Sequence, residues 1–452
     1  MEHSIRLAIG FDSIQLLHDI FTTMRGEKTI MGWLWTLRIF ILLNFAYFIF
    51  LITSSDTALK LISWKIYIFT DTTLILSYLW YCYIKTFWAE LRPKQYAPLL
   101  NTGYTVLVPC YNEEPHLLEE AVKSIVNQRN NYKKQIILID DGSKNNIYSV
   151  MEKLQVMYPF ADVDISIHKF EENRGKRFAH EIGIKHAKHE FIISVDSDTI
   201  LNKNAISELL KPFSDPKIGA TTGNVFIKNE TQNYLTRIQT GIYWIGLSIQ
   251  KRAQSLFGDV ICCSGCLSAY RKEDLLKVMD DYVNQQFLGH SCKASKDRHL
   301  TNLLSEMGKN IVFVPESFCH TEVPHTFKKY IAQQRRWKMG FYREALYTTT
   351  YSWKTSKVLY FENLIWMLFS PLFNLTSILV TTYLLLLYPS AFLAGILPIL
   401  ILISIARDSL FFVNHPIKGI LYLPYVIFYA WIIYPLNIIT LFQSSPEKWG
   451  TR

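Results

Sequence analysis

Two long apolar runs near the start of the chain and three near its end enclose about 260 residues that contain none, and this layout constrains the fold most. Residues 31–53 read MGWLWTLRIFILLNFAYFIFLIT, long enough to cross a hydrocarbon core of ~30 Å. A second run covers 64–83. Runs at 361–388, 391–405 and 419–442 follow the middle stretch. Composition agrees. Half of the 452 residues are apolar, 14% are aromatic and 19% are charged, against about 25% charged in ordinary soluble chains. These values exclude a disordered, collagen-like or disulfide-scaffold chain and argue against a plain soluble enzyme. Seven cysteines without framework spacing fit a reduced compartment.

The net charge of +9 suits nucleic acid, an anionic membrane face or phosphorylated substrates. Its distribution orients the runs. Arg6, Arg25 and Lys28 precede the first run, and Lys85, Arg92 and Lys94 follow the second. Both places, and the middle stretch, are expected to be cytoplasmic, with 388–390 outside and Arg407 and Lys418 inside. Residues 1–28 read as a surface-lying amphipathic piece or an unstructured tail. Pro424 and Pro435 interrupt the last run, which reads as re-entrant or interfacial, the alternative being a fifth span. No cleavable signal peptide is expected.

In the middle stretch strands and helices alternate. Short apolar runs at 104–109, 135–139, 162–168 and 191–195 predict buried strands. Helical stripes are read at 117–126, 147–157 and 176–188. Such alternation predicts an α/β domain with a mostly parallel, Rossmann-like sheet covered on both faces. Ligands of these sheets bind at strand carboxyl ends. There stand Tyr111 to Glu114, Asp140-Asp141, and Asp196 with Asp198.

Three groups carry chemistry. Asp196-Ser197-Asp198 ends a strand with two hard oxygen donors suited to Mg²⁺ or Mn²⁺ on a diphosphate, or is a pair of solvated loop acids. Asn173 to Arg177 (NRGKR) opens a helix, where backbone N–H groups and Lys176 favour phosphate. Residues 325–347 carry Phe327, Tyr330, Ile331, Trp337, Phe341 and Ala345 near one helical face among many cations. That is the pattern of a helix on a membrane surface, or of one packed on the domain. The CxxC of Cys263 and Cys266 lacks the context for redox or zinc chemistry.

Taken in order, VPCYNEE (108–114), IDDGS (139–143), NRGKR (173–177), DSDT (196–199), KDRHLTN (296–302) and QQRRW (333–337) make the chain resemble one family. These are the membrane-embedded, processive, inverting family 2 glycosyltransferases with a GT-A domain. Within it the chain is most similar to the class I hyaluronan synthases, through AQSL (253–256), SG…LS (264–268), QFLG (286–289) and WGTR (449–452). Two positions depart from the family pattern: Cys266 stands where a proline is usual, and Lys296 where an acid precedes the catalytic aspartate.

The resemblance implies an interfacial segment at 1–30, two transmembrane helices in 31–91 and a cytoplasmic GT-A domain at 92–323. Interface helices at 324–357, channel-forming transmembrane or re-entrant helices at 358–443 and a gating loop at 444–452 complete the layout. It implies that Asp297 is the base and that Tyr111, Glu113, Asp141, Lys176, Asp196, Asp198, Gln333, Arg336 and Trp449 bind UDP. Trp337 and Cys263 would meet the acceptor, and Asp198 with Asp196 would hold Mg²⁺ or Mn²⁺. The expected activity is polymerisation of hyaluronan from UDP-GlcNAc and UDP-glucuronate (UDP-GlcA), with extrusion through a plasma or inner membrane. The nascent polysaccharide and membrane lipids are the other expected partners, with no nucleic acid and no obligatory protein partner. A chitin or poly-N-acetylglucosamine synthase using UDP-GlcNAc alone is the near alternative. A non-enzymatic nucleotide-gated transporter is the distant one.

Overall fold

The computed structural model describes residues 102–442, together with 96–99 and parts of a helix at 81–89, apart from short breaks at 160–161, 288–289 and 293 and several within 394–428. The expected segments at 1–30 and 31–53, most of 64–83, much of 391–405, residues 423–428 of the run at 419–442, and the WGTR ending with Trp449 lie outside the described residues.

The chain builds an eight-stranded sheet of order β3-β2-β1-β4-β7-β6-β10-β5. Its first half is a run of strand–helix units: β1 (Gly103–Cys110), α1 (Pro115–Val126), β2 (Lys133–Asp140), α2 (Ile147–Met157), β3 (Val163–Lys169), α3 (Lys176–His186) and β4 (Phe191–Ser194). The short strand β5 (Ile200–Leu201), α4 (Ala205–Leu210) and β6 (Ile218–Ile227) come next. Helix α5 (Tyr234–Trp244) then runs on through a π-helical stretch at Ile245–Lys251. β7 (Ser268–Arg271), α6 (Lys272–Val283), a small hairpin of β8 (Gln286–Phe287) and β9 (His290–Ser291), α7 (Lys296–Glu306) and β10 (Asn310–Thr321) close the domain.

Strands apolar on both faces explain the interior positions of β1 and β2. Val106 to Val108 and Ile136 to Ile139 are wholly buried, and each such side chain contributes roughly 1.5–3 kcal/mol. Helix α3 lies so close to the sheet that a Cβ on Gly183 would come 2.7 Å from a Leu107 methyl. The expected parallel sheet is found for β3, β2, β1 and β4, and again for β6 with β10. It is mixed overall, because β7 runs antiparallel between β4 and β6, and β5 antiparallel to β10. No strand was expected beyond 195. β6 carries buried Thr221, Thr222 and Asn224, which break the apolar run that marks a strand in the sequence.

Two long helices follow. α8 (Phe327–Thr355) packs on α7, and α9 (Lys357–Leu387) packs back on α8. α10 (Pro416–Tyr422) and α11 (Tyr434–Phe442) complete the described part. The apolar positions of α8 fall in two environments, Tyr330 and Ala345 being buried. Phe327 and Trp337 are exposed, while the polar Gln334 and Glu344 are buried. Partners from α7, from the loop after α6 and from α8 itself, described below, make the burial of Glu344 tolerable. Among the described residues no helix is long and apolar enough to cross a membrane.

Candidate active site

The strand order reverses between β1 and β4, and the loops leaving β1, β2 and β4 meet at that crevice. After β1 the chain passes half-buried Tyr111 and turns at Asn112, which adopts the left-handed conformation with φ 51°. Asn112 N–H donates to Ser143 Oγ (2.9 Å), and Asn112 Oδ1 accepts from Lys144 N–H (2.8 Å). Asn145 Nδ2 donates to the Glu113 carbonyl at 2.8 Å. The buried Glu113 carboxylate reaches the third loop by accepting the Ser197 hydroxyl at 2.7 Å.

Asp141 faces the entry to α3. Its carboxylate accepts from the N–H groups of Arg174 (2.8 Å) and Gly175 (2.9 Å) and from Asn173 Nδ2 (3.1 Å). Burial pushes this carboxyl up to about 6, against the opposing pull of those N–H donors and of Lys296. Gly142, at φ 71°, permits the approach: a Cβ there would lie 2.4 Å from the Glu172 backbone.

The reactive groups converge on Gly265. A Cβ built there would lie 3.1 Å from Asp297 Oδ2, 3.1 Å from Lys176 Nζ and 3.3 Å from Asp196 Oδ2. Lys176 is buried and paired with Asp196. Burial would discharge this lysine, but the carboxylates of Asp196 and Asp297 override it and hold the ammonium well above its usual range. Cys266 Sγ lies 3.5 Å from Asp196 Oδ2. Burial and the two DSD carboxylates keep that thiol protonated. Asp198 is buried and accepts from Thr321 Oγ1 of β10 at 3.2 Å.

Lys296 sits among the same charges. Burial, with Lys176 and Arg336 nearby, pulls it down to about 7 against the attraction of Asp297 and Asp196. Cys263 is wholly buried, so its sulfur packs in the core. Its N–H donates to Thr301 Oγ1 (2.9 Å), which donates to the Asp297 carbonyl (2.7 Å), pinning this loop to α7. On α8, Trp337 is 46% exposed and pairs with the Tyr243 ring at 6.3 Å. Arg336 is half-buried, and Gln333 Oε1 is buried without a hydrogen bond. Sequence reasoning missed Gly265, Ser197, Thr321 and Glu344. Of these, Ser197 inside DSD, Gly265 inside SG…LS and Glu344 inside 325–347 stood within strings that had been singled out, and Thr321 did not.

Asp196 and Asp198 fit a divalent ion shared with a substrate. Mg²⁺ characteristically takes one or two carboxylates and completes its shell with phosphate and water. No cluster of three or more metal-ligating side chains occurs among the described residues. The arrangement therefore brings the Asp297 carboxylate beside an ammonium and two further carboxylates at the strand-end crevice, with exposed Trp337 and half-buried Tyr243 paired on α8 and α5.

Residues 105–279 match the family model described as Glycosyl transferase family 2. A hyaluronan synthase of Streptococcus pyogenes is 31% identical over 360 residues, covering 76% of this chain and 82% of that protein. An N-acetylglucosaminyltransferase of Bradyrhizobium diazoefficiens is 35% identical over 248 residues, covering 55% of this chain and 50% of that one. Among solved structures, a mannosyltransferase from Pyrobaculum calidifontis in complex with GDP-Man and Mn²⁺ matches with a TM-score of 0.50 at 18% identity. That match covers 82% of this chain and 95% of the other, and it supports the fold assignment.

Proposed function

The chain belongs to glycosyltransferase family 2 and is a hexosyltransferase, and from that premise we propose that it is a processive, inverting synthase making hyaluronan from UDP-GlcNAc and UDP-GlcA. The observation that carries the reading is the convergence of Asp297, Lys176 and Asp196 on Gly265. Asp297 accepts the proton of the acceptor hydroxyl as its oxygen attacks the donor's anomeric carbon. The bond to UDP breaks in line, and the leaving diphosphate takes the electron pair. Lys176 and Arg336 face its charge. Tyr111, Glu113 and Asp141 hold the uridine side. A divalent ion at Asp196 and Asp198, Mg²⁺ or Mn²⁺, would add charge neutralisation at the diphosphate. Trp337 and Tyr243 offer the acceptor sugar an aromatic surface, and Gln333 Oε1 offers an acceptor for a hydroxyl.

Extrusion follows from chemistry: a polysaccharide made in the cytoplasm is too polar to cross lipid unaided. We place the chain as a multi-pass protein of the plasma or inner membrane, with 92–323 cytoplasmic. Support comes from the apolar runs in the sequence and from Leu386, Leu387, Ile417 and Ile420, which are 71%, 59%, 76% and 64% exposed. A glucosamine polymer made from UDP-GlcNAc alone is the second reading, favoured by the N-acetylglucosaminyltransferase match. Supplying each UDP-sugar alone and both together, then digesting the product with hyaluronan lyase, separates the two.

A further inference from the structure

Glu344 is a carboxylate that the transfer chemistry does not use, yet it is wholly buried on α8. An unpaired buried charge is costly, and this one collects donors from several directions. Oε1 accepts from Gln285 Nε2 (2.8 Å) and Arg343 Nε (3.1 Å). Oε2 lies 3.1 Å from His299 Nδ1 and accepts from Asn302 Nδ2 at 3.1 Å. Burial alone would protonate it, but His299, Arg343 and Gln285 together keep it ionised.

Those partners lead to each part of the site. His299 and Asn302 stand on α7, whose first turn carries Asp297. Gln285 accepts from Arg177 Nη2 at 2.5 Å, and Arg177 follows Lys176 on α3. Arg343 Nη2 donates to the Ala294 carbonyl at 2.6 Å, in the loop that leads into Asp297. Two helical turns before Glu344, the same helix carries Trp337. The helices bearing the base, the diphosphate lysine and the acceptor platform therefore meet at one carboxylate.

We propose that Glu344 is a positioning residue that locks α3, α7 and α8 together and so aims Asp297 between donor and acceptor. A well-packed apolar group would stabilise such a site as well or better than a buried ion network. Glu344 instead supplies direction: four donors fix where the three helices sit. The proposal rests on the assignment of Asp297 as base.

The test uses the full chain in lipid discs, reading kcat from UDP release and UDP affinity by calorimetry. Glu344→Gln turns an amide N–H group toward existing donors. A displacement of the base by ~1 Å should lower kcat about 10²-fold, while UDP affinity falls by a much smaller factor, because the uridine contacts of Tyr111, Glu113 and Asp141 stand on loops that Glu344 does not touch. Glu344→Asp should recover part of the loss. In an Asp297→Asn background, Glu344→Gln should lower the residual rate no further, since the two act through one step. Arg343→Lys, which keeps a cation beside Glu344 but loses the fork to Ala294, should shift kcat in the same direction. It carries the test if the Gln variant does not fold. Unchanged kcat, a matching loss of UDP affinity, or full additivity with Asp297→Asn would overturn the proposal. Wild-type turnover by Asp297→Asn alone would overturn the base assignment beneath it, whatever Glu344 does.

Discussion

Gly340 of α8 faces Ser295 with no space between them: a Cβ on Gly340 would lie 1.4 Å from Ser295 Oγ. Ser295 precedes the first turn of α7 in a left-handed conformation, φ 56°. Asp297 is two residues further on, so the contact sets the start of the helix that carries the base.

Gly340→Ala is therefore expected to push Ser295 aside and displace Asp297. Turnover should fall at least about 10²-fold, the usual cost of a misplacement near 1 Å. UDP affinity should change less, because the Asp141 carboxylate is held by the Arg174 and Gly175 N–H groups and not by Ser295. Steady-state UDP release beside calorimetric UDP titration checks this, and an unaltered rate would show that α7 starts independently of α8.

Asp297→Asn should abolish polymer formation while sparing UDP binding. An amide cannot take the acceptor proton, and loss of general base catalysis is typically worth 10²–10⁴-fold. Near-normal polymer yield from the variant would remove Asp297 from the mechanism.

The carboxyl of Asp141 is pushed up to about 6 by burial, above its ordinary value of 3.8. Between these two values the folded protein holds a proton that the unfolded chain has released. Asp141 therefore contributes less stability as pH rises through that window. The stability of wild type minus that of Asp141→Asn should accordingly fall between pH ~4 and ~6. UDP affinity should move the other way, improving as Asp141 ionises and grips the Arg174 and Gly175 N–H groups. Chemical denaturation and UDP titration across this pH range test both signs.

The first half of the sheet was legible because its strands are continuous apolar runs that stop at polar strings. YTVLVP leads to Tyr111 to Glu114, and QIILI to Asp140-Asp141. Even the crevice could be located, since the polar residues fall at strand ends. β6 was not legible, because Thr221 and Thr222 satisfy their buried hydroxyls on the carbonyls of Leu209 in α4 and of Leu267 just before β7. Glu344 was hidden for a related reason. An acid in a strongly basic amphipathic helix reads as part of a solvated face, and only the fold brings His299, Gln285 and Asn302 to it. Trp337 was read on a face turned either to a membrane surface or to the domain, and the fold leaves it 46% exposed beside Tyr243.

Turnover should require Mg²⁺ or Mn²⁺ and be lost in Asp198→Ala, since a hard cation offsets charge building on the diphosphate. Titrating a chelator into the reaction and restoring either ion reads this directly. Full activity in excess chelator would leave Lys176 and Arg336 as sufficient counter-charges.

The central claim is that one site accepts two donors through the UDP they share, and that the waiting polymer end at Trp337 selects the sugar. The decisive measurement is product formation by the purified chain with UDP-GlcNAc alone, UDP-GlcA alone and both together. Long polymer degraded by hyaluronan lyase, appearing only with both donors, is the predicted result. Lyase-resistant polymer from UDP-GlcNAc alone would contradict the claim.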